Sequence, residues 1–210
     1  MRGMPGSNPI SAWKSLREGN ERFVNGTLLH PSQGAADRAK LVSGQHPHAI
    51  LFGCGDSRVA AELIFDQGLG DMFVVRTAGH VVDSSVLGSI EYGVHVLNVP
   101  LIVVLGHDSC GAVKATIDAL DGGEVPGGFI RSLVERVTPS ILVGRREGLS
   151  TVDEIEARHV VETSQLLMDR SMIIADKVAS GQLAIACVTY KLVDGRAQLH
   201  RVVGDIGETA

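Results

Sequence analysis

Short apolar runs alternate with segments of helical spacing through the middle of the chain. The runs cover residues 49–53, 72–75 and 101–105, and the intervening segments with helical character cover 60–67 and 84–97. Continuous apolar runs of this length are typical of strands that are buried on both faces, as in parallel sheets. Their alternation with helices favours βαβ units. The pattern therefore predicts an α/β fold with a central, mostly parallel β-sheet flanked by helices.

The first part of the chain has the pattern of an amphipathic helical arm. Ser7 and Asn8 are capping residues ahead of Pro9, which suits the first helical position. Apolar residues then recur at roughly helical spacing, at Ile10, Trp13, Leu16 and Phe23. We predict that residues 7–44 form an N-terminal arm that packs on the body or on a neighbouring subunit. Together with an α/β body at residues 45–210, this arm would form a single domain.

The second half of the chain predicts further helices and a closing hairpin. Thr151 with Glu154 three residues later resembles a capping box, and it opens a long helix that could extend to Gly181. The other predicted elements are a helix at 111–120, a helical stretch leading to residue 144, and a β-hairpin of 184–190 and 197–203 at one edge of the sheet.

Composition and charge argue against several classes of function. The 210-residue chain has a formal net charge of −5 and no block of Lys or Arg beyond short pairs, so nucleic-acid binding is not expected. No apolar stretch approaches the roughly 18 residues of a membrane-spanning helix. The three cysteines are an odd number, which suits a reducing compartment better than a disulfide framework. We therefore expect a cytoplasmic protein whose thiolates are free to bind metal.

Two clusters of reactive side chains follow two of the predicted strands. Cys54 comes directly after the first apolar run, and His107 and Cys110 come directly after the third. Alone, each would be interpreted as a small buried residue or a core histidine. Together they offer the sulfur and imidazole ligands that zinc prefers, in three positions, which leaves a fourth open as in catalytic zinc sites. Cys187 lies in an apolar run without such neighbours, and we expect it in the core.

Asp56 and Arg58, immediately after Cys54, allow three interpretations. They could form a surface ion pair of little consequence. Asp56 could instead be the fourth metal ligand, or Arg58 could clamp Asp56 so that the carboxylate faces a metal-bound water. The last two arrangements can alternate, because a guanidinium forms a bidentate pair with a carboxylate and so competes with the metal for it.

These motifs resemble those of the β-class carbonic anhydrases, in which a Cys-x-Asp-x-Arg segment is followed by His-x-x-Cys. The resemblance covers residues 13–207 and includes blocks at 56–59, 73–76 and 89–92. The chain resembles actinobacterial members of the family in particular. It implies one Zn²⁺ per chain and the reversible hydration of carbon dioxide to bicarbonate and a proton by zinc-bound hydroxide. It also implies that Asp56 and Arg58 orient the hydroxide, and that Asp56 binds the zinc in a closed form.

The resemblance implies a substrate pocket and a partner as well. Gln45 matches the glutamine that hydrogen-bonds the substrate, and Phe73 and Tyr92 match aromatic positions of the carbon dioxide pocket, which often come from across a dimer interface. A homodimer or homotetramer is therefore expected. Two alternatives remain open: hydrolysis of carbon disulfide or carbonyl sulfide on the same scaffold, and a non-catalytic zinc protein with Asp56 as a permanent fourth ligand.

Overall fold

The central feature of the fold is a five-stranded sheet, described by a computed structural model of residues 8–210. The strands are β1 (Ala49–Cys54), β2 (Met72–Thr77), β3 (Leu101–His107), β4 (Ala184–Tyr190) and β5 (Ala197–Val203). Their order across the sheet is β2-β1-β3-β4-β5. The first four are parallel and β5 runs antiparallel to β4, which confirms both the parallel sheet and the hairpin at its edge.

Eight α-helices accompany the sheet in the described part of the chain. They are α1 (Pro9–Val24), α2 (Ala35–Lys40), α3 (Ala61–Ile64), α4 (Ser84–Glu91), α5 (Gly111–Leu120), α6 (Ile130–Arg146), α7 (Val152–Arg170) and α8 (Met172–Ala179). Short 3-10 turns cover Leu41–Ser43 and Ala78–His80, and a π-helical turn covers Tyr92–Val96. The predicted capping box of Thr151 and Glu154 is confirmed at the start of α7.

Both faces of the sheet are covered, which explains why the central strands have continuous apolar sequences. Leu51 and Val103 face a cluster that includes α1 and α3, whereas Ile50 and Ile102 face α4, α7 and α8. Successive residues of a strand point to opposite faces, so every position of β1, β3 and β4 is buried. A third apolar cluster lies under α5, α6 and α7 and includes Cys54 and Cys110.

Helix α1 packs on the body of its own chain. Ala12, Trp13 and Leu16 are buried against the sheet. Asn20 adds polar contacts, since its amide donates to the carbonyl of Gly195 at 2.8 Å and its oxygen accepts from the amide of Ala197 at 2.9 Å. These bonds hold the helix to the β4–β5 hairpin. Asn8 caps the helix, while Ser7, the other predicted capping residue, lies outside the described residues.

Two helix predictions are wrong in extent. The helix predicted at 60–67 is the short α3, because buried Asp66 accepts hydrogen bonds from Arg22 and from the amides of Leu29 and His30, with its backbone at φ 46°. The long helix from Thr151 is interrupted at Ser171. Its extended backbone (φ −121°, ψ 106°) ends α7, and its hydroxyl caps α8.

No helix among residues 8–210 combines the length and the apolar character needed to cross a membrane.

Candidate metal centre

Three side chains with soft or borderline metal-ligand atoms meet at the carboxyl edge of the sheet. Cys54 ends β1, His107 ends the neighbouring parallel strand β3, and Cys110 is the N-cap residue of α5. Their ligand atoms all lie within 4.8 Å of one another, and the three residues are buried. Ser109, with φ 55°, turns the backbone so that Cys110 faces back toward His107. Parallel strands bring their carboxyl ends to one edge, which is why two distant motifs form a single cluster.

The hydrogen bonds of His107 leave one ring nitrogen available. Its Nδ1 lies 2.8 Å from the carbonyl oxygen of Asp108, and because a carbonyl only accepts, Nδ1 carries the proton. Nε2 then presents a lone pair, is buried, and has no hydrogen-bond partner within residues 8–210. This is the usual tautomer of a histidine that binds metal through Nε2 and donates through Nδ1. The three residues therefore fit a zinc ion in both donor type and orientation.

The two cysteine side chains hydrogen-bond each other, which shifts their pKa values in opposite directions. The pKa of Cys54 falls to about 4, chiefly because the Cys110 side chain hydrogen-bonds it, with smaller contributions that include His107 and the Gly79 amide. The pKa of Cys110 rises for the reciprocal reason, since the same bond uses its proton and burial disfavours a second thiolate. The bond from Cys110 thus favours the thiolate form of Cys54, which is the form that binds metal.

Arg58 holds the Asp56 carboxylate at the edge of this cluster. The guanidinium donates from Nε to Oδ1 at 2.9 Å and from an Nη to Oδ2 at 2.7 Å, and the Arg58 amide also donates to Oδ1 at 2.9 Å. This fork keeps the pKa of Asp56 well below its usual range. Asp56 Oδ2 lies 3.9 Å from His107 Nε2, so the carboxylate is clamped by Arg58 but remains beside the candidate metal position.

Arg76, for which the sequence suggested no functional role, braces the same loop from β2. Its Nε donates to the carbonyl oxygen of Cys54 at 2.8 Å, and an Nη donates to the carbonyl oxygen of Asp56 at 2.6 Å. Both residues that flank Gly55 are therefore held by one guanidinium. In the sequence, this arginine stood out only as the last residue of the 73–76 block that resembles the family.

The three residues expected to bind substrate lie toward the other end of the strands, where β1 and β2 begin. Gln45 is exposed and lies in the loop before β1, whereas Cys54 is the last residue of that strand. A six-residue strand spans roughly 20 Å. Phe73 pairs with Ile50 near the start of β1, and its ring lies 6.2 Å from that of Tyr92, which is 47% exposed. The structure brings Phe73 and Tyr92 together and separates Gln45 from the cysteines of its own chain.

A buried polar cluster behind the ligands was missed at the sequence level. Glu156 and His159 face inward from α7, and His80 stacks on His159 with ring centroids 4.3 Å apart. Glu156 accepts from the His107 amide at 3.2 Å, and burial raises the pKa of its carboxyl to about 8. Glu156 and His159 occupy one helix face together with apolar residues, and that spacing was the one signal that could have revealed them.

Comparisons with known proteins agree with the geometry of this centre. A family model described as carbonic anhydrase matches residues 49–197. A carbonic anhydrase of Mycolicibacterium smegmatis is 67% identical over 98% of this chain and 100% of its own length. Carbonic anhydrase 2 of Mycobacterium tuberculosis is 66% identical over 98% of this chain and 99% of its own length.

Solved structures of lower sequence identity share the fold. A Coccomyxa β-carbonic anhydrase in complex with acetazolamide superposes with a TM-score of 0.70 at 26% identity, covering 79% of this chain and 78% of that one. One of two tetrameric β-carbonic anhydrases from Sordaria macrospora gives a TM-score of 0.69 at 26% identity, covering 77% and 84%. With the family model, the near-full-length relatives and the cysteine–histidine centre in agreement, this chain belongs to the β-class carbonic anhydrases.

Proposed function

We propose that Cys54, His107 and Cys110 hold one zinc ion per chain, and that carbon dioxide is reversibly hydrated to bicarbonate and a proton beside it. The observation that carries this proposal is the buried Nε2 of His107. It has no hydrogen-bond partner among the described residues, yet it lies within 4.8 Å of two sulfur atoms. A buried polar atom without a partner is costly, and a metal ion would satisfy it.

The ligand set determines the expected chemistry. A zinc ion bound here supplies Lewis-acid chemistry, which lowers the pKa of water so that a nucleophile forms under mild conditions. Two thiolates and a neutral imidazole offset the charge of the ion, in contrast to three neutral histidines. We therefore expect hydration activity to increase toward alkaline pH.

Asp56 and Arg58 are proposed to control the fourth position. In the observed arrangement the ionised Asp56 accepts from Arg58 through both oxygens and is available to accept an O–H of the reactant water. The fork also prevents Asp56 from becoming a ligand itself. If the fork opened, Oδ2 would need only a small movement from its place 3.9 Å from His107 Nε2 to close the site.

A second copy of the chain is proposed to complete the substrate pocket. Within residues 8–210 no strand pairs with the outer edge of β2, and Tyr92, whose ring lies beside that of Phe73 in β2, is about half exposed. Gln45 lies before the start of β1, whereas the metal position of its own chain lies at the end of that strand. We therefore infer a homodimer, or a homotetramer built from two such dimers, in which Gln45, Phe73 and Tyr92 of one subunit line the site of the other.

The cysteines also support a reducing, cytoplasmic location. All three are free and buried, and two of them have to remain reduced to bind the metal.

The basic test is stopped-flow hydration of carbon dioxide with a pH indicator, together with metal analysis of the purified protein. We expect about one zinc per chain and hydration well above the buffer background. If the protein hydrolysed carbonyl sulfide or carbon disulfide but did not hydrate carbon dioxide, the proposed reaction would be wrong and this related hydrolysis would be its activity. Stoichiometric zinc with neither activity would instead indicate a closed, non-catalytic centre.

The shared pocket predicts complementation between two inactive variants. Gln45→Ala and Arg58→Ala homodimers are each expected to hydrate carbon dioxide poorly, because each lacks one essential group in both sites. In a heterodimer, the chain with Gln45→Ala keeps Arg58 and receives Gln45 from its partner, so one complete site is restored. Co-expression with two affinity tags and tandem purification gives the heterodimer, whose activity is expected to reach about half that of the wild-type dimer.

Each tagged homodimer, purified the same way, is the control. A heterodimer no more active than the Gln45→Ala homodimer would show that Gln45 acts within its own subunit or not at all, and the shared pocket would be wrong.

A further inference from the structure

The sulfur of Cys54 accepts a hydrogen bond from a tight turn at the end of β2. The amide of Gly79 in the 3-10 turn Ala78–His80 donates to Cys54 Sγ at 3.4 Å. Gly79 has φ 63°, and a Cβ at this position would lie 2.6 Å from the Cβ of Ala112. Both facts require glycine here. The turn is thus shaped to bring its backbone close to the sulfur.

Behind this turn, a buried histidine fixes the other side of the same residue. His159 Nε2 lies 3.0 Å from the carbonyl oxygen of Gly79, and its Nδ1 lies 2.8 Å from Ser140 Oγ. The carbonyl only accepts, so Nε2 carries the proton and the Ser140 hydroxyl donates to Nδ1. His159 is 4% exposed, and burial lowers its pKa to about 4, so the ring stays neutral and keeps this tautomer.

These contacts form one chain of hydrogen bonds across three elements. Ser140 on α6 donates to His159 on α7, His159 donates to the Gly79 carbonyl, and the Gly79 amide donates to Cys54 Sγ. Within residues 8–210, neither Ser140 nor His159 hydrogen-bonds to His107 or Cys110. Apolar residues would fill this space without the cost of burying two polar groups, so a role in holding the Gly79 turn accounts for their presence.

We propose that Ser140 and His159 are positioning residues that hold the Gly79 amide against the Cys54 sulfur, and so determine the metal affinity and the donor strength of that thiolate. This inference rests on the proposed binding of metal by Cys54. A hydrogen bond to a thiolate withdraws electron density from sulfur, and a fixed turn keeps the sulfur oriented before metal arrives. Loss of the bond should therefore affect the metal site even where the fold is intact.

The test compares metal binding by His159→Ala, Ser140→Ala and His159→Gln with that of the wild type. We expect the alanine variants to bind zinc roughly 10- to 100-fold more weakly in competition with a chelator. We also expect the thiolate-to-metal absorption band of the cobalt(II)-substituted protein to move to longer wavelength. His159→Gln keeps an N–H donor for the Gly79 carbonyl and should recover most of both properties.

Ser171→Ala is the matched control for Ser140→Ala. Ser171 is also a buried serine, it donates to Glu91 at 2.6 Å, and it lies about 18 Å along α7 from His159. Its replacement should leave zinc affinity and the cobalt band unchanged, even if the protein unfolds at a lower temperature. Thermal unfolding of every variant identifies those that are folded, and Ser140→Ala is the milder change if His159→Ala does not fold.

Wild-type affinity and an unshifted band in folded Ser140→Ala would overturn the inference. An equal loss of affinity in Ser171→Ala would also overturn it, because the effect would then come from general destabilisation. A wild-type protein that bound no metal would instead contradict the proposed function itself, so the two failures are distinguishable.

Discussion

Replacement of Cys110 by serine is expected to remove the metal and to lower carbon dioxide hydration at least about 1,000-fold. A serine hydroxyl is a harder donor that stays protonated, so it cannot replace a thiolate on zinc. The fold should tolerate the change, because Cys110 is the N-cap residue of α5 and its side chain makes no capping bond there. Serine is a preferred N-cap residue and could add one. Metal per chain and stopped-flow rates measure the effect.

Cys187→Ser is the matched control for this variant. Cys187 is fully buried in β4 beside Ser164, whose hydroxyl oxygen could accept a hydrogen bond from a serine at this position. We expect stoichiometric zinc and near-normal turnover in Cys187→Ser. A Cys110→Ser protein that kept stoichiometric zinc and full turnover would rule out the ligand assignment.

Arg58→Ala is expected to lower hydration about 100-fold at neutral pH while zinc remains bound. Without the fork, only the backbone amide of residue 58 still holds one oxygen of Asp56, so we expect the carboxylate to reach the proposed metal and become its fourth ligand. Arg58→Lys should restore only part of the activity, because an ammonium group cannot reproduce the two parallel bonds of the guanidinium. Stopped-flow rates at neutral and alkaline pH, with metal analysis, test both variants.

The lowered pKa of Asp56 determines the pH range in which its carboxyl is ionised. Its ionised form stabilises the folded protein above the unfolded pKa of about 3.9, and that contribution is lost as the pH falls toward the lower folded value. Hydration is assayed well above this window, where Asp56 is ionised with or without Arg58. The loss in Arg58→Ala should therefore come from the position of the carboxylate and not from its protonation.

Arg131→Ala provides the comparison for a simple surface charge. Arg131 pairs with Glu135 at 2.9 Å, but both side chains are more than half exposed. Such pairs contribute little. Equal activity in Arg58→Ala and Arg131→Ala would assign Asp56 and Arg58 to the surface-pair interpretation and refute the clamp.

The meeting of Cys54, His107 and Cys110 could be predicted from the sequence because each motif follows an apolar run that forms a buried strand. The apolar runs before Cys54 and His107 identify strand ends, and the parallel topology places those ends at the same edge of the sheet. The capping box at Thr151 could be predicted for a similar reason, since its bonds join residues only three positions apart. The sequence was sufficient where the interaction is local, as in the capping box, or where the regular topology of a parallel sheet brings two strand ends together.

The breaks in the helices could not be predicted in this way. The helix from Thr151 has no proline or glycine near Ser171, yet it ends there, and the Ser171 hydroxyl bonds to Glu91 of α4. Likewise, α3 stops where buried Asp66 binds the segment after α1. In both cases a hydrogen bond to a residue distant in sequence outweighs the local preference for continuing the helix. Nothing in the local sequence identifies that residue.

The sequence by itself determined the α/β class, the two motifs of the candidate metal centre and the membership in this family, because all three depend on residue type and on spacing along the chain. Only the tertiary structure decided that Arg58 holds both oxygens of Asp56, that Gln45 lies away from the cysteines of its own chain, and that Ser140 and His159 support the turn behind Cys54. These depend on which side chains meet across separate elements. Such meetings follow from the packing of the whole chain, not from the order of residues within one segment.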